Sequence, residues 1–166
     1  CKSVSLYVDS TVTTTGGNFT VANSGGTNYG PILDAKSTQR FASGTFLNNT
    51  IYALTISNPT GFTYDGSLTI SNNLHISLGA TVNVSGDVSV GGLSIDTLTS
   101  TAPLQSSGGA TITGILTIGK FSSTPNVGQT LAIVQSANGI SGNFTTVTLP
   151  AGYTGTTSAQ GNNLIL

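Results

Sequence analysis

The chain has 166 residues, of which 37% are hydrophobic and only 5% are charged, and its formal net charge is -1. This length fits one domain with a continuous core. So few cations cannot neutralise a row of phosphates, which argues against nucleic-acid binding. The apolar runs are too short for a membrane-spanning helix, which needs about 20 residues. Regularly placed aliphatic residues argue against disorder.

The first 46 residues carry the weakest strand pattern of the chain. An alternating start at 4–8 is followed by a stretch rich in Gly and Asn at 23–31. Three of the four basic residues, Lys2, Lys36 and Arg40, lie in this part. We interpret residues 1–46 as an N-terminal cap or an inter-subunit arm.

Cys1 is the only cysteine, so it cannot form an internal disulfide. It is a candidate lipidation site, because a cysteine exposed by signal-peptide cleavage carries a diacylglycerol that anchors a chain to a membrane. The alternatives are a boundary of the expressed segment and a thiol that pairs with another chain. The first residue is not Met and no signal-peptide pattern is visible, so we expect a mature product.

Residues 47–126 repeat a tripeptide in which Ser, Thr, Asn or His stands between two aliphatic residues. The pentapeptide Leu-Thr-Ile-Ser-Asn occurs twice, at 54–58 and 68–72. Alternation at period two predicts short, half-buried strands, and strands this short must stack on one another. We therefore predict an all-β, single-domain β-solenoid. The side chains expected inward are Leu68, Ile70, Leu74, Ile76, Val82, Val84, Val88, Val90, Leu93, Ile95, Leu116, Ile118, Leu131 and Ile133, and those expected outward are Thr69, His75, Ser77, Asn83, Ser89 and Thr117.

Glycine and asparagine separate the tripeptides, which is typical of tight corners. The tripeptides recur at irregular spacing, which favours a β-helix with several strands in each coil over a strict short repeat. At about 20 residues per coil, we expect seven to nine coils and a rod on the order of 35–45 Å long.

Residues 127–166 form the third segment and contain an ordered set of motifs. A strand pattern at 128–134 is followed by Gly-Ile-Ser-Gly-Asn-Phe at 139–144, by Leu-Pro-Ala-Gly-Tyr at 149–153 and by closing aliphatics at 164–166. This order resembles the last coils of bacterial autotransporter passenger domains, and similar tails occur in large surface adhesins. The resemblance implies a right-handed parallel β-helix that is exported and displayed on a bacterial cell surface.

Residues suited to catalysis are sparse. His75 is the only histidine and is expected on the outward face as a solvated strand residue. The five acidic residues are all Asp and are scattered; Asp65 and Asp87 sit beside glycines as corner residues, while Asp87 and Asp96 are the pair most able to meet on neighbouring coils. We therefore expect no enzyme activity, no cofactor and no metal site.

Threonine-rich stretches raise an ice-binding alternative. Thr-x-Thr occurs at 11–13, 97–99 and 111–113, without a common coil period. A glycan-binding or phage-type fibre module is the other alternative, with glycans on a host or neighbouring cell as partners. Thermal hysteresis and glycan-array binding distinguish these alternatives from a purely structural role.

The sequence thus predicts a non-enzymatic, extracellular structural or adhesive protein of a bacterial surface. Both solenoid ends present alternating strands with almost no charge to repel a neighbouring copy. We therefore expect a homo-oligomer or filament, in contact with a membrane only through a lipid on Cys1. The residues expected to carry the contact between copies are Val4, Leu6, Val8, Leu164, Ile165 and Leu166.

Overall fold

A computed structural model describes residues 5–8, 32–35, 39–57, 59–77 and 79–166. These residues form strands joined by short corners, with one 3-10 turn, η1, at Leu47–Asn49. The strands are β1 (Ser5–Val8), β2 (Ile32–Ala35), β3 (Gln39–Ala42), β4 (Thr50–Ile56), β5 (Phe62–Asp65), β6 (Leu68–Ile76), β7 (Val82–Val84), β8 (Val88–Val90), β9 (Leu93–Leu98), β10 (Leu104–Ser106), β11 (Ala110–Ile112), β12 (Ile115–Phe121), β13 (Ala132–Ser136), β14 (Ile140–Gly142), β15 (Thr146–Thr148), β16 (Ser158–Gln160) and β17 (Asn163–Ile165).

Two sheets build the fold, and sheet B is the simpler one. It stacks β3, β5, β7, β10 and β13 in parallel, each one coil beyond the last, and adds the antiparallel strands β17 and β16 at its C-terminal end. Phe62 pairs with Val82, Val82 with Leu104 and Leu104 with Val134, so successive coils take 20, 22 and 30 residues. The last coil is longer because it includes the loop between β12 and β13.

Sheet A forms the other two faces of each coil. The long strands β4 and β6 each run along both faces. In later coils each face has its own strands, which are β8, β11 and β14 on one face and β9, β12 and β15 on the other. The predicted single-domain parallel β-helix is therefore confirmed. The described residues make about four turns, fewer than the seven to nine coils expected for the whole chain, because the last coil takes 30 residues and the C-terminal residues form an antiparallel hairpin in place of a further coil.

The core consists of aliphatic columns that run through successive coils. On sheet B, Val82, Leu104, Val134 and Leu164 are aligned by register and are fully buried. The predicted inward positions are buried, except that Leu131 is partly buried and packs against the core. Ser77, expected outward, is only 8% exposed at the corner after β6, where its amide donates to the Ile56 carbonyl and its side chain bonds the exposed Asp96.

An aromatic cluster fills the first described coil, and the tripeptide pattern did not reveal it. Phe46 stacks on Tyr64 with ring centroids 5.5 Å apart, and Phe41 meets Phe62 edge-on at 5.4 Å. The Tyr64 hydroxyl donates to Oδ1 of Asn49 at 2.8 Å, which provides the buried ring with its polar partner. Burial raises the pKa of Tyr64.

The C-terminal strand is not a bare edge, which corrects the expectation from the sequence. Strand β17 lies between β13 and β16, antiparallel to both, because the chain reverses at Gly161, whose φ is +57°. Leu164 is fully buried, while Ile165 and Leu166 are half-buried. Leu164 therefore cannot contact another copy while this hairpin is in place.

At the other end, stacking starts earlier than residue 47. Strand β3 already pairs with β5, and β2 pairs in parallel with the second half of β4. Leu6 and Val8 lie in β1, which pairs in parallel with β2. Cys1 and Val4 lie outside the described residues, as does most of the predicted cap or arm at 1–46.

Candidate functional site

The histidine has an acidic partner that the sequence did not predict. Register pairs His75 with Ser94 on the next coil, two residues before Asp96, and the imidazole Nε2 lies 2.8 Å from Oδ1 of Asp96. Hydrogen bonding to His75 lowers the pKa of Asp96, and Ser77 and Lys120 add to the effect. The Ser77 side chain also bonds the Asp96 carboxylate, so a histidine, an aspartate and a serine meet at this surface point.

Asp65 and Asp87 lie at corners, as predicted, and do not form a carboxylate pair. Asp87 accepts a hydrogen bond from the Gly109 amide at 2.7 Å, which ties two coils together. Asp65 receives Nε and Nη2 of Arg40 at 2.8 and 2.9 Å, in a two-pronged surface ion pair. The two partners of this ion pair neutralise each other.

The outward face of sheet B carries a continuous polar column. Register aligns one outward residue from each strand of sheet B. In spatial order, from β3 at one end of the sheet to β16 at the other, these residues are Arg40, Thr63, Asn83, Gln105, Gln135, Asn163 and Gln160. We call the last five of these, all with side-chain amides, the amide column. Neighbouring strands are about 4.8 Å apart, so the amide column is about 19 Å long.

A shallow groove of about 450 Å³ follows part of this face. Asn83, Gln105 and Gln135 line it together with Arg40 and Asp65. Among the described residues, no hydrogen bond joins one amide of the column to another; Gln105 donates to the Ala102 carbonyl at 3.2 Å. Asn83, Gln135 and Gln160 are exposed, so their amides face solvent.

Sheet A ends in an edge at its C-terminal side. Strands β14 and β15 each pair with one strand of the preceding coil, and no other described strand covers their outer side. Thr146 and Thr148 of β15 are exposed. From Phe121 to Leu166 the sequence has no charged side chain, so the edge lacks the charges that usually keep sheet edges apart.

Next to this edge lies an uncharged cleft of about 580 Å³. Phe121, Leu149, Tyr153 and Leu166 contribute its apolar lining, and Gln160 at the end of the amide column also borders it. The rings of Phe121 and Tyr153 meet edge-on with centroids 4.8 Å apart.

The described residues contain no group of three or more His, Cys, Asp or Glu able to hold a metal ion. Nor does this part of the chain include a helix long and apolar enough to cross a membrane. No protein-family model matches the chain, and comparison with curated proteins and with solved structures finds no match. The resemblance to autotransporter passengers thus stays a prediction.

Of the residues predicted to carry assembly, β1 and the β16–β17 hairpin place Leu6 and Leu166 at opposite ends of the stack. The sequence analysis missed β15 and the amide column. Both depend on register between coils, although the run without charge after Lys120 was a visible signal.

Proposed function

We propose that this protein is a non-enzymatic structural and adhesive element of a bacterial cell surface, and that its copies assemble into a fibre. The observation that carries the proposal is the uncharged edge formed by β14 and β15. Such an edge offers backbone donors and acceptors to a strand of another molecule. A contact between unlike ends extends into a filament when the rotation from one copy to the next does not close into a ring.

The composition supports assembly into a stack of identical copies. Hydroxyl and amide side chains cover the outside of the coils in place of charge, which suits a stack of identical subunits because like charges would otherwise accumulate along it. The proposal also includes the surface location that follows from the resemblance of residues 127–166 to autotransporter passenger domains.

Sedimentation velocity and negative-stain electron microscopy of the full chain test assembly over a range of concentrations. The informative variant adds two lysines to the edge, Thr146→Lys with Thr148→Lys. Edge lysines oppose strand addition, so we expect this variant to stay monomeric where the parent assembles. The control, Ser122→Lys with Thr124→Lys, adds the same charge at exposed positions of the β12–β13 loop and should assemble like the parent.

Two outcomes would contradict the proposal. In the first, the parent chain stays monomeric at high concentration, which would mean that its edge is covered. In the second, both lysine pairs inhibit assembly equally, which would reveal a general effect of charge. Ice binding stays an alternative, because sheet A aligns five hydroxyl residues across β4, β6, β8, β11 and β14, namely Thr50, Thr69, Ser89, Thr111 and Ser141. Thermal hysteresis tests it directly.

A further inference from the structure

We infer that the amide column is a binding site for an extended, neutral, β-linked polysaccharide that lies along the solenoid axis. This inference rests on the adhesive part of the proposed function and names its ligand class. It does not depend on the edge of sheet A, which belongs to a different face.

The first argument is the chemistry of the amides. A carboxamide has two donor hydrogens and an acceptor oxygen, so it can both give and receive hydrogen bonds from sugar hydroxyls. The amides of Asn83 and Gln135 are exposed and have no hydrogen bond to another described residue, so a ligand need not break an internal network. Nε2 of Gln105 donates to the Ala102 carbonyl, which restrains this side chain where it borders the groove.

The second argument is spacing. In-register stacking presents one amide about every 4.8 Å along a straight line. That interval is close to the length of one pyranose unit in an extended β-linked chain. A polymer on this face therefore meets an equivalent amide at successive sugar units, and weak contacts add along its length.

The third argument is charge. Arg40 and Asp65 are the charged residues that line the groove, and they pair with each other at 2.8 Å. None of the five residues of the amide column is charged. A polyanion thus finds no unpaired cation here, whereas a neutral polysaccharide loses no charge solvation on binding.

The test uses the full chain at concentrations where it is monomeric, mixed with cellulose particles, chitin particles or alginate beads. We expect depletion by cellulose or chitin and none by alginate. The triple variant Asn83→Ala, Gln105→Ala, Gln135→Ala should lose roughly tenfold or more in affinity. The control triple, Thr69→Ala, Ser89→Ala, Thr111→Ala, removes three outward hydroxyls from the neighbouring face and should bind like the parent.

Circular dichroism and thermal melting must match for both triples. If the amide triple does not fold, the single variant Gln135→Ala replaces it, since this side chain is exposed. Retention by alginate alone, no retention by either neutral polymer, or equal losses in both triples would overturn the inference. A polysaccharide that binds another face would refute this site and leave the proposed adhesive role intact. The edge variant Thr146→Lys with Thr148→Lys should be retained by cellulose or chitin like the parent.

Discussion

At the residue scale, buried aliphatic side chains carry the stability of the stack. Ile76 is fully buried in a column with Ile56 on the preceding coil and Ile95 on the next. Ile76→Ala should destabilise the protein by about 2–4 kcal/mol because it leaves a cavity. Thr117→Ala, at a partly exposed outward position, should change stability little. Equal losses in urea unfolding would contradict the inward and outward assignment.

Buried serines contribute at the same scale by hydrogen bonding to corners. Ser136 Oγ donates to the Gly108 carbonyl at 2.8 Å, as Ser106 does to Gly86 one coil earlier at 2.6 Å. Ser136→Ala should cost about 1 kcal/mol, because the Gly108 carbonyl keeps its bond from the Asn138 amide. Ser107→Ala, at an exposed position beside Ser106, is the control in the same urea titration.

The ionisation of Asp96 makes the stability of the folded protein depend on pH in the acid range. Its pKa is lowered in the folded state, first by hydrogen bonding to His75, so its contribution is present above the ordinary aspartate pKa of about 3.9. That contribution disappears as the pH falls through the lower folded value. Asp96→Asn should therefore lose stability at neutral pH, and the difference from the parent should shrink as the pH falls below about 4 and through the lower folded value. Thermal melts of both proteins across this range decide it, and a difference that persists in acid would contradict the assignment.

At the element scale, glycine corners set how closely the coils approach. Gly114 has φ +72°, and a Cβ there would overlap the Gly91 carbonyl oxygen of the preceding coil. Gly114→Ala should cost more than the 1–3 kcal/mol expected for an unfavourable backbone conformation alone. Gly128→Ala separates the two causes, since Gly128 has φ +80° with open space around it. Similar losses for the two variants in urea unfolding would exclude the overlap.

At the scale of the whole molecule, the two sheets end differently at the C-terminal side. Sheet B ends in the antiparallel β16–β17 hairpin, with β16 as its last strand, while sheet A ends in the parallel strands β14 and β15 among the described strands. Deleting Asn163–Leu166 should lower the thermal midpoint, because it uncovers Val134 and removes the buried Leu164. The exposed substitution Ser158→Ala should leave the midpoint unchanged. An unchanged midpoint after the deletion would mean that the hairpin does not cover the core.

The sequence by itself determined the strand class and the inward face from Leu68 to Ile118, because alternation along a strand is a local property of the backbone. Only the tertiary structure decided which residues meet across coils. His75 finds Asp96, and Asn83 aligns with Gln105 and Gln135, because the loops set the number of residues per coil. The reversal that buries Leu164 likewise depends on a turn that brings β17 against β13. Alternation carries no information about loop length or strand direction, so these contacts were outside its reach.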